Sequence, residues 1–189
     1  MLLVCAGNVC RSPVAELLLS SWFSSEDESG LAVSSAGTRA LDGQLIEPRA
    51  AALLPGDIVT SSFRARQLTP QMVRDADVVL CMDREVRSET VIMEPSALSR
   101  VFAVREFGRM LALLNDAPDN GGCREKSITQ RWQMLVAAAP AVRPQAVLRR
   151  EDADDVADPY GRSARHYVEM LRQMEPALSA IRDVEHKFK

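Results

Sequence analysis

Cys5 and Arg11 stand with five residues between them in the stretch CAGNVCRSP, Cys5 to Pro13, with Ser12 directly after the arginine. A thiolate is a nucleophile for phosphorus. A guanidinium offers a planar fork of donors that matches two phosphoryl oxygens. Three apolar residues precede the stretch and a run with helical spacing follows it. A strand that feeds a short loop and then a helix start turns free backbone N–H groups and the positive end of the helix dipole into that loop. Gly7 reads as the residue that lets the backbone turn tightly there. Cys5, at the strand end, would face the same centre, where the N–H groups and Arg11 stabilise its thiolate. The chemistry implied is capture of a phosphate-like anion and attack on it by sulfur. The bland alternative is a small buried Cys5 and a solvated Arg11, because C-x5-R by itself is a common pattern.

The elements around the loop follow from hydrophobic spacing. Leu2 to Val4 predicts a short first strand, and Val14, Ala15, Leu17, Leu18 and Trp22 predict a helix from Pro13 to Phe23. Ser12 suits its N-cap and Pro13 its first position. Further strands are predicted at Leu31 to Ser35, Val78 to Cys81 and Val101 to Val104. Helices are predicted at Pro48 to Leu54, Arg84 to Met93, Glu106 to Leu114, Ile128 to Ala139 and Ser163 to Arg182. Strand and helix alternate, which implies an α/β fold: a parallel sheet flanked by helices on both faces. The chain reads as one domain over residues 1–189, with 115–150 as a helical insertion before an acidic loop.

Bulk properties narrow the function classes. The 189 residues are 47% apolar and 26% charged with a net charge of −3, so neither a nucleic-acid nor a membrane partner is expected. No run of about 18 apolar residues is present. The opening MLLVC lacks the basic and long apolar regions of a secretory signal, which makes the cytoplasm the expected compartment. Cys5, Cys10, Cys81 and Cys123 form no CxxC pair, so reduced thiols are expected. His166 and His186 belong to no acid–histidine motif, and no metal site is predicted.

CAGNVCRSP closely resembles the signature of the low-molecular-weight protein tyrosine phosphatases. SSAGT (Ser34 to Thr38), RARQLT (Arg64 to Thr69), VVLCMDREVR (Val78 to Arg87), VREF (Val104 to Phe107) and DPYGRS (Asp158 to Ser163) are similar to the same family in the same order. The resemblance implies a four-stranded parallel sheet with helices on both faces, and hydrolysis of aryl phosphate monoesters such as phosphotyrosine through a phosphocysteine. It makes Cys5 the nucleophile, Arg11 and the N–H groups of Ala6, Gly7, Asn8, Val9, Cys10 and Arg11 the oxyanion cradle, and Asp158 the acid for the leaving oxygen. Asn8 would shape the loop with Ser12 and Ser35 as partners, and Ser12 would also donate to Cys5. Ser12, Leu41 and Tyr160 complete the substrate contacts. Cys10 is implied as a redox partner of Cys5, with simple packing beneath the loop as the alternative. No cofactor is implied. The expected ligands are a phosphotyrosine protein or small aryl phosphate, and a phosphate- or sulfate-like anion in the loop.

Three departures concern the surroundings of the reaction. Phe63 replaces a histidine that usually joins the Asn–Ser network, which predicts a loop held more by packing than by hydrogen bonds. Leu41 takes the place of a wall aromatic, and Gly161 that of a second tyrosine. Glu151, Asp152, Asp154 and Asp155 would crowd negative charge around Asp158. Two other readings stay open: an arsenate reductase of the same fold, which needs a thiol relay that the isolated Cys81 does not supply, and a phosphate-binding module without turnover.

Overall fold

The structure is a computed structural model and describes residues 1–23, 31–116, 127–147 and 154–186. Cys123, Glu151 and Asp152 lie outside them. Four strands, β1 (Leu2–Cys5), β2 (Ser34–Gly37), β3 (Val79–Cys81) and β4 (Val101–Ala103), pair in parallel in the order β2-β1-β3-β4. Cys5 sits opposite Gly37, Val4 opposite Cys81, and Cys81 opposite Ala103. The chain leaves β1 for one neighbour first and returns later to the other. The crevice at such a reversal, outside the carboxyl ends of the strands, is where open α/β sheets bind ligands. The Cys5 loop lies there.

Side chains alternate across the sheet. Leu3, Cys5, Leu80 and Phe102 face one core, shared with α1 (Arg11–Phe23), α5 (Val104–Asp116), α6 (Ile128–Ala146) and α7 (Ala164–His186). Leu2, Val4, Val79, Cys81 and Val101 face a second core, under α3 (Pro70–Asp75), α4 (Arg84–Met93) and a 3₁₀ helix at Pro95–Arg100. The short α2 (Pro48–Ala51) lies beside α1 and α7. Tyr167, Met170, Met174, Leu178 and Ile181 form the buried stripe of α7 at helical spacing. A Cβ at Gly108 would stand 2.6 Å from the Ala177 Cα, so α5 and α7 approach as backbone against backbone.

Most boundaries differ from expectation by a few residues, and those of β2, α1, α2 and α6 are the most informative. β2 covers Ser34–Gly37 rather than Leu31 to Ser35, because its register with β1 runs from Leu2 opposite Ser34 to Cys5 opposite Gly37. α1 begins at Arg11, not Pro13, and its first bond runs from Val14 N to Cys10 O at 3.2 Å. Pro13 is tolerated because N–H groups of a first turn have no intrahelical partner. Ser12 is therefore inside the helix and caps nothing. α2 stops after one turn, while α6 continues past Pro140 and Pro144 to Ala146. There Arg143 Nε and Nη2 bond Glu106 at 2.7 and 2.9 Å, and Arg109 Nε donates to the terminal Ala146 carbonyl at 2.8 Å. These tertiary bonds outweigh the proline defects. α3 and the 3₁₀ helix were not expected, although each opens on a proline and Thr69 Oγ1 caps α3 by accepting from Met72 N at 3.3 Å.

Candidate active site

The loop from Cys5 to Ser12 is turned inside out relative to an ordinary connection. Its carbonyls are held from outside: Cys5 O by Thr38 N, Ala6 O by Arg39 N and Gly7 O by Leu41 N, all at 3.0 Å, and Val9 O by Glu47 N at 2.8 Å. Cys10 O is taken by α1. No peptide is cis. In a trans peptide the N–H of the next residue points opposite to the carbonyl. The N–H groups of Ala6, Gly7, Asn8, Cys10 and Arg11 are thereby directed inward. Asn8 N demonstrates it by donating to Cys5 Sγ at 3.2 Å.

The turn itself rests on Asn8, whose φ is +52°, and not on Gly7 as its type suggested. A Cβ at Gly7 would meet Val9 no closer than 3.6 Å, so a side chain fits there. Asparagine tolerates the left-handed region, and here its amide holds the conformation. Asn8 Nδ2 donates to Ser12 Oγ at 2.9 Å and to Ser35 Oγ at 2.7 Å, while Arg66 N donates to Asn8 Oδ1 at 2.9 Å. Ser35 Oγ passes the chain on to Glu16 Oε2. Arg66 Nε reaches Ser35 O at 2.7 Å. The prediction that Phe63 makes this a packing-held loop is overturned: Phe63 is core, and Glu16 supplies the polar end of the network. Burial raises the Glu16 carboxyl above its ordinary value, against the Ser35 hydrogen bond and the Arg66 charge, which lower it. Glu16 is the only acid in α1, a signal visible in the sequence. Gly37 was also missed. A Cβ there would lie 2.4 Å from Ala6 O, so only glycine lets β2 and the loop meet.

Cys5 Sγ is 3.0 Å from Ser12 Oγ, and both residues are buried. Arg11, 4% exposed, divides its two terminal nitrogens. Nη1 donates to Asp83 Oδ2 at 2.6 Å and to Val156 O at 3.1 Å; Nη2 donates to Asp158 Oδ2 at 2.9 Å. Burial opposes its charge, but Cys5, Asp158 and Asp83 together prevail and hold its pKa above the ordinary value. Asp83 was not foreseen. Its Oδ1 also caps α4 by accepting from Val86 N at 2.7 Å, so one carboxylate joins a helix start to the arginine.

A pocket of about 200 Å³ opens over Cys5, floored by the loop and walled by Arg39, Leu41, Asp158 and Tyr160. Of the residues singled out in the sequence, Cys5, Ala6, Gly7, Val9, Cys10, Arg11, Leu41, Asp158 and Tyr160 line it. Asn8, Ser12 and Ser35 are fully buried behind the loop, so their side chains support it and do not reach the pocket. Arg39 is an unforeseen wall, bonded through Nη1 to Glu89 at 2.9 Å and Glu85 at 3.3 Å. The two described acids before Asp158 do not crowd it: Asp154 is paired with Arg109, and Asp155 accepts from Arg84 N at 2.9 Å. Asp158 instead faces Arg11 and accepts from Tyr160 N at 3.1 Å. Burial, then Asp158, Glu47 and Cys5, push the Cys10 thiol up to about 12. Burial does the same to Cys81, also to about 12, and its Sγ donates to Thr90. Among the described residues no group of three or more acidic, histidine or cysteine side chains is arranged to hold a metal ion. None of the described helices is long and apolar enough to cross a membrane.

A parallel sheet that ends in an inward-facing amide loop, with a thiol on its floor and a guanidinium beside it, is the framework of a cysteine-dependent phosphate-ester hydrolase. Residues 1–124 match the family described as low molecular weight phosphotyrosine protein phosphatase. A probable low molecular weight protein-tyrosine-phosphatase, EpsP of Ralstonia nicotianae, is 37% identical over 108 residues, 57% of this chain and 71% of the relative. Wzb of Salmonella typhi, a low molecular weight protein-tyrosine-phosphatase, is 36% identical over 102 residues, 53% and 65% of the two chains. The tyrosine phosphatase Wzb from Escherichia coli K30, solved with sulphate, superposes with a TM-score of 0.64 at 18% identity, covering 96% of this chain and 94% of that one. The YwlE arginine phosphatase from Geobacillus stearothermophilus gives 0.65 at 21% identity, covering 98% and 92%. These two likenesses establish the fold. The chain belongs to the low molecular weight phosphotyrosine protein phosphatase family, and it is a phosphatase, a hydrolase of phosphate esters.

Proposed function

We propose that this chain hydrolyses phosphotyrosine-type aryl phosphates with Cys5 as nucleophile, Arg11 and the loop amides as the oxyanion cradle, and Asp158 as the proton donor. The Cys5 thiolate attacks phosphorus, the P–O bond to the aryl oxygen breaks, and that oxygen leaves with the proton of Asp158. Asp158 then takes a proton from water, whose oxygen attacks the phosphocysteine and releases phosphate and the Cys5 thiolate. Arg11 keeps Nη1 on Asp83 and Val156 O while Nη2 exchanges Asp158 for a phosphoryl oxygen. That exchange frees Asp158 Oδ2 from Arg11, so that it can turn to the leaving oxygen. Leu41 and Tyr160 offer apolar and ring surface for an aryl group. Cys10 lines the same pocket, and its thiol would condense with a Cys5 oxidised by peroxide to the sulfenic acid, forming the disulfide with loss of water; the raised pKa of Cys10 slows that step.

The observation that carries this reading is the convergence of Cys5, Arg11 and Asp158 on one pocket, with Arg11 bonded to an acid 147 residues away. The test is phosphate release from an aryl phosphate at pH 5 to 7 with EDTA present, alongside the Cys5→Ser variant and rapid-quench trapping of phosphocysteine. Turnover without a trapped Cys5 adduct, or turnover that survives Cys5→Ser, would falsify it. Running phosphoarginine and thioredoxin-linked arsenate reduction in parallel separates the other substrates of this fold; Cys81, buried and bonded to Thr90, gives the arsenate route no relay.

A further inference from the structure

Several arginines of the described residues meet carboxylates: Arg39 meets Glu85 and Glu89, Arg74 Glu94, Arg84 Asp155, Arg109 Asp154 and Arg143 Glu106. Others do not, and three of these adjoin the loop that carries Tyr160. Arg49, Arg162 and Arg165 are all exposed and have no carboxylate partner among the described residues. Arg49 Nη1 donates to the Arg162 carbonyl at 2.6 Å, which brings α2 against the loop that carries Tyr160. Arg162 N closes that loop onto Pro159 O at 2.8 Å. The nearby acids are already engaged. Glu47 Oε2 accepts from Arg49 N and Ala50 N at 2.8 and 3.1 Å, and Asp158 is held by Arg11 and Tyr160 N. No acid stands in the first turn of α7, where Arg165 lies. Glu169, one turn after Arg165, is taken by Arg172 at 3.7 Å and Gln173 at 3.2 Å. Three exposed arginines thus stand on adjoining segments without an ion-pair partner, an arrangement that an external anion would favour.

We infer that Arg49, Arg162 and Arg165 form a second anion-reading surface, and that the substrate is an acidic phosphopeptide whose carboxylates flank the phosphorylated residue. The inference rests on the function proposed above and adds the substrate class. Tyr160 lines the pocket and Arg162 is two residues further on, so their Cα atoms are at most about 7 Å apart. An extended peptide advances about 3.3 Å per residue, so a carboxylate roughly two to four positions from the phosphorylated residue spans that interval. The Arg39 wall makes no such demand, since Glu85 and Glu89 already occupy its guanidinium. The rim is therefore polar in direction, with its unsatisfied positive charge on the Tyr160 side.

The test compares kcat/KM of the parent and an Arg162→Glu/Arg165→Glu double variant on three substrates. These are a small aryl phosphate, a phosphotyrosine peptide flanked by Glu, and the same peptide flanked by Gln. Arg49 is left intact because its bond shapes the loop. The parent is expected to prefer the acidic peptide by about tenfold, from two or three exposed ion pairs, with the preference shrinking as salt is raised. The variant is expected to lose or invert that preference while its aryl phosphate activity stays within about twofold, which also reports that it folds. An unchanged acidic-to-neutral ratio in the variant, or no preference in the parent, overturns the inference. Failure of the parent on the aryl phosphate itself would instead overturn the proposed function, so the two failures are distinguishable.

Discussion

At the floor of the pocket Asn8, Ser12 and Ser35 are fully buried and each has its hydrogen-bond partner, whereas at the rim Tyr160, Arg39 and Arg162 stand in solvent on a few contacts. The floor is assembled from β1, β2, α1 and the Arg66 segment, and moving any one of them disturbs the others. The rim is contributed by two loops that can change one residue at a time. The chemistry is thus built into the rigid part, where donors must be aimed before the substrate arrives. Selection among substrates is left to the part that tolerates substitution.

Removing the proposed nucleophile should give the largest effect. Cys5→Ser is expected to lose on the order of 10⁴-fold or more in kcat, read by phosphate release, with little change in melting temperature. Next comes Asp83→Ala, which frees Arg11 Nη1 and uncaps α4. We expect kcat to fall roughly 10- to 100-fold, as for other lost orienting partners, with about 1 kcal/mol of stability lost from the missing cap. A variant at full activity would show that Val156 O alone holds the arginine. Gly37→Ala attacks the floor without touching a reacting group. Overpacking against Ala6 O should cost about 1–3 kcal/mol, seen as a lower urea midpoint, and kcat should drop with it.

The rim should answer more gently. Tyr160→Ala is expected to raise KM for an aryl phosphate roughly three- to tenfold with kcat nearly intact, because a ring contact is lost while the cradle is kept. A matching loss in kcat would move Tyr160 from the rim into the catalytic assembly. The smallest effect concerns pH. Burial raises the Glu16 pKa above its ordinary 4.5, so the folded chain holds this proton more tightly than the unfolded one. Stability from this group is therefore greatest at low pH and is lost as pH rises from about 4.5 through the folded value. Glu16→Gln should flatten that slope in urea titrations; an unchanged slope would assign it to another group.

The contrast between floor and rim also sorts what could be read in advance. Cys5 and Arg11 were legible by residue type and by position relative to predicted elements, and Asp158 through the family resemblance of DPYGRS. Glu16, Gly37, Asp83 and Arg39 were not, because their importance comes from what stands opposite them. Gly37 matters through Ala6 O, Asp83 through Arg11, and Glu16 through Ser35. The passage through Pro140 in α6 was illegible for the same reason: local propensity argued for a stop, and bonds from α5 overrode it.

Taken alone, the order of residues determined the alternation of strand and helix, the parallel sheet, and a thiol and a guanidinium on one short loop at the end of β1. These depend on spacing within a dozen residues, where backbone geometry leaves few choices. Only the tertiary structure decided that the loop's carbonyls face outward, that Asn8 carries the turn, and that Arg11 divides itself between Asp83 and Asp158. Those outcomes join segments up to 147 residues apart, and no local rule states which distant donor will meet which acceptor until packing has brought them together.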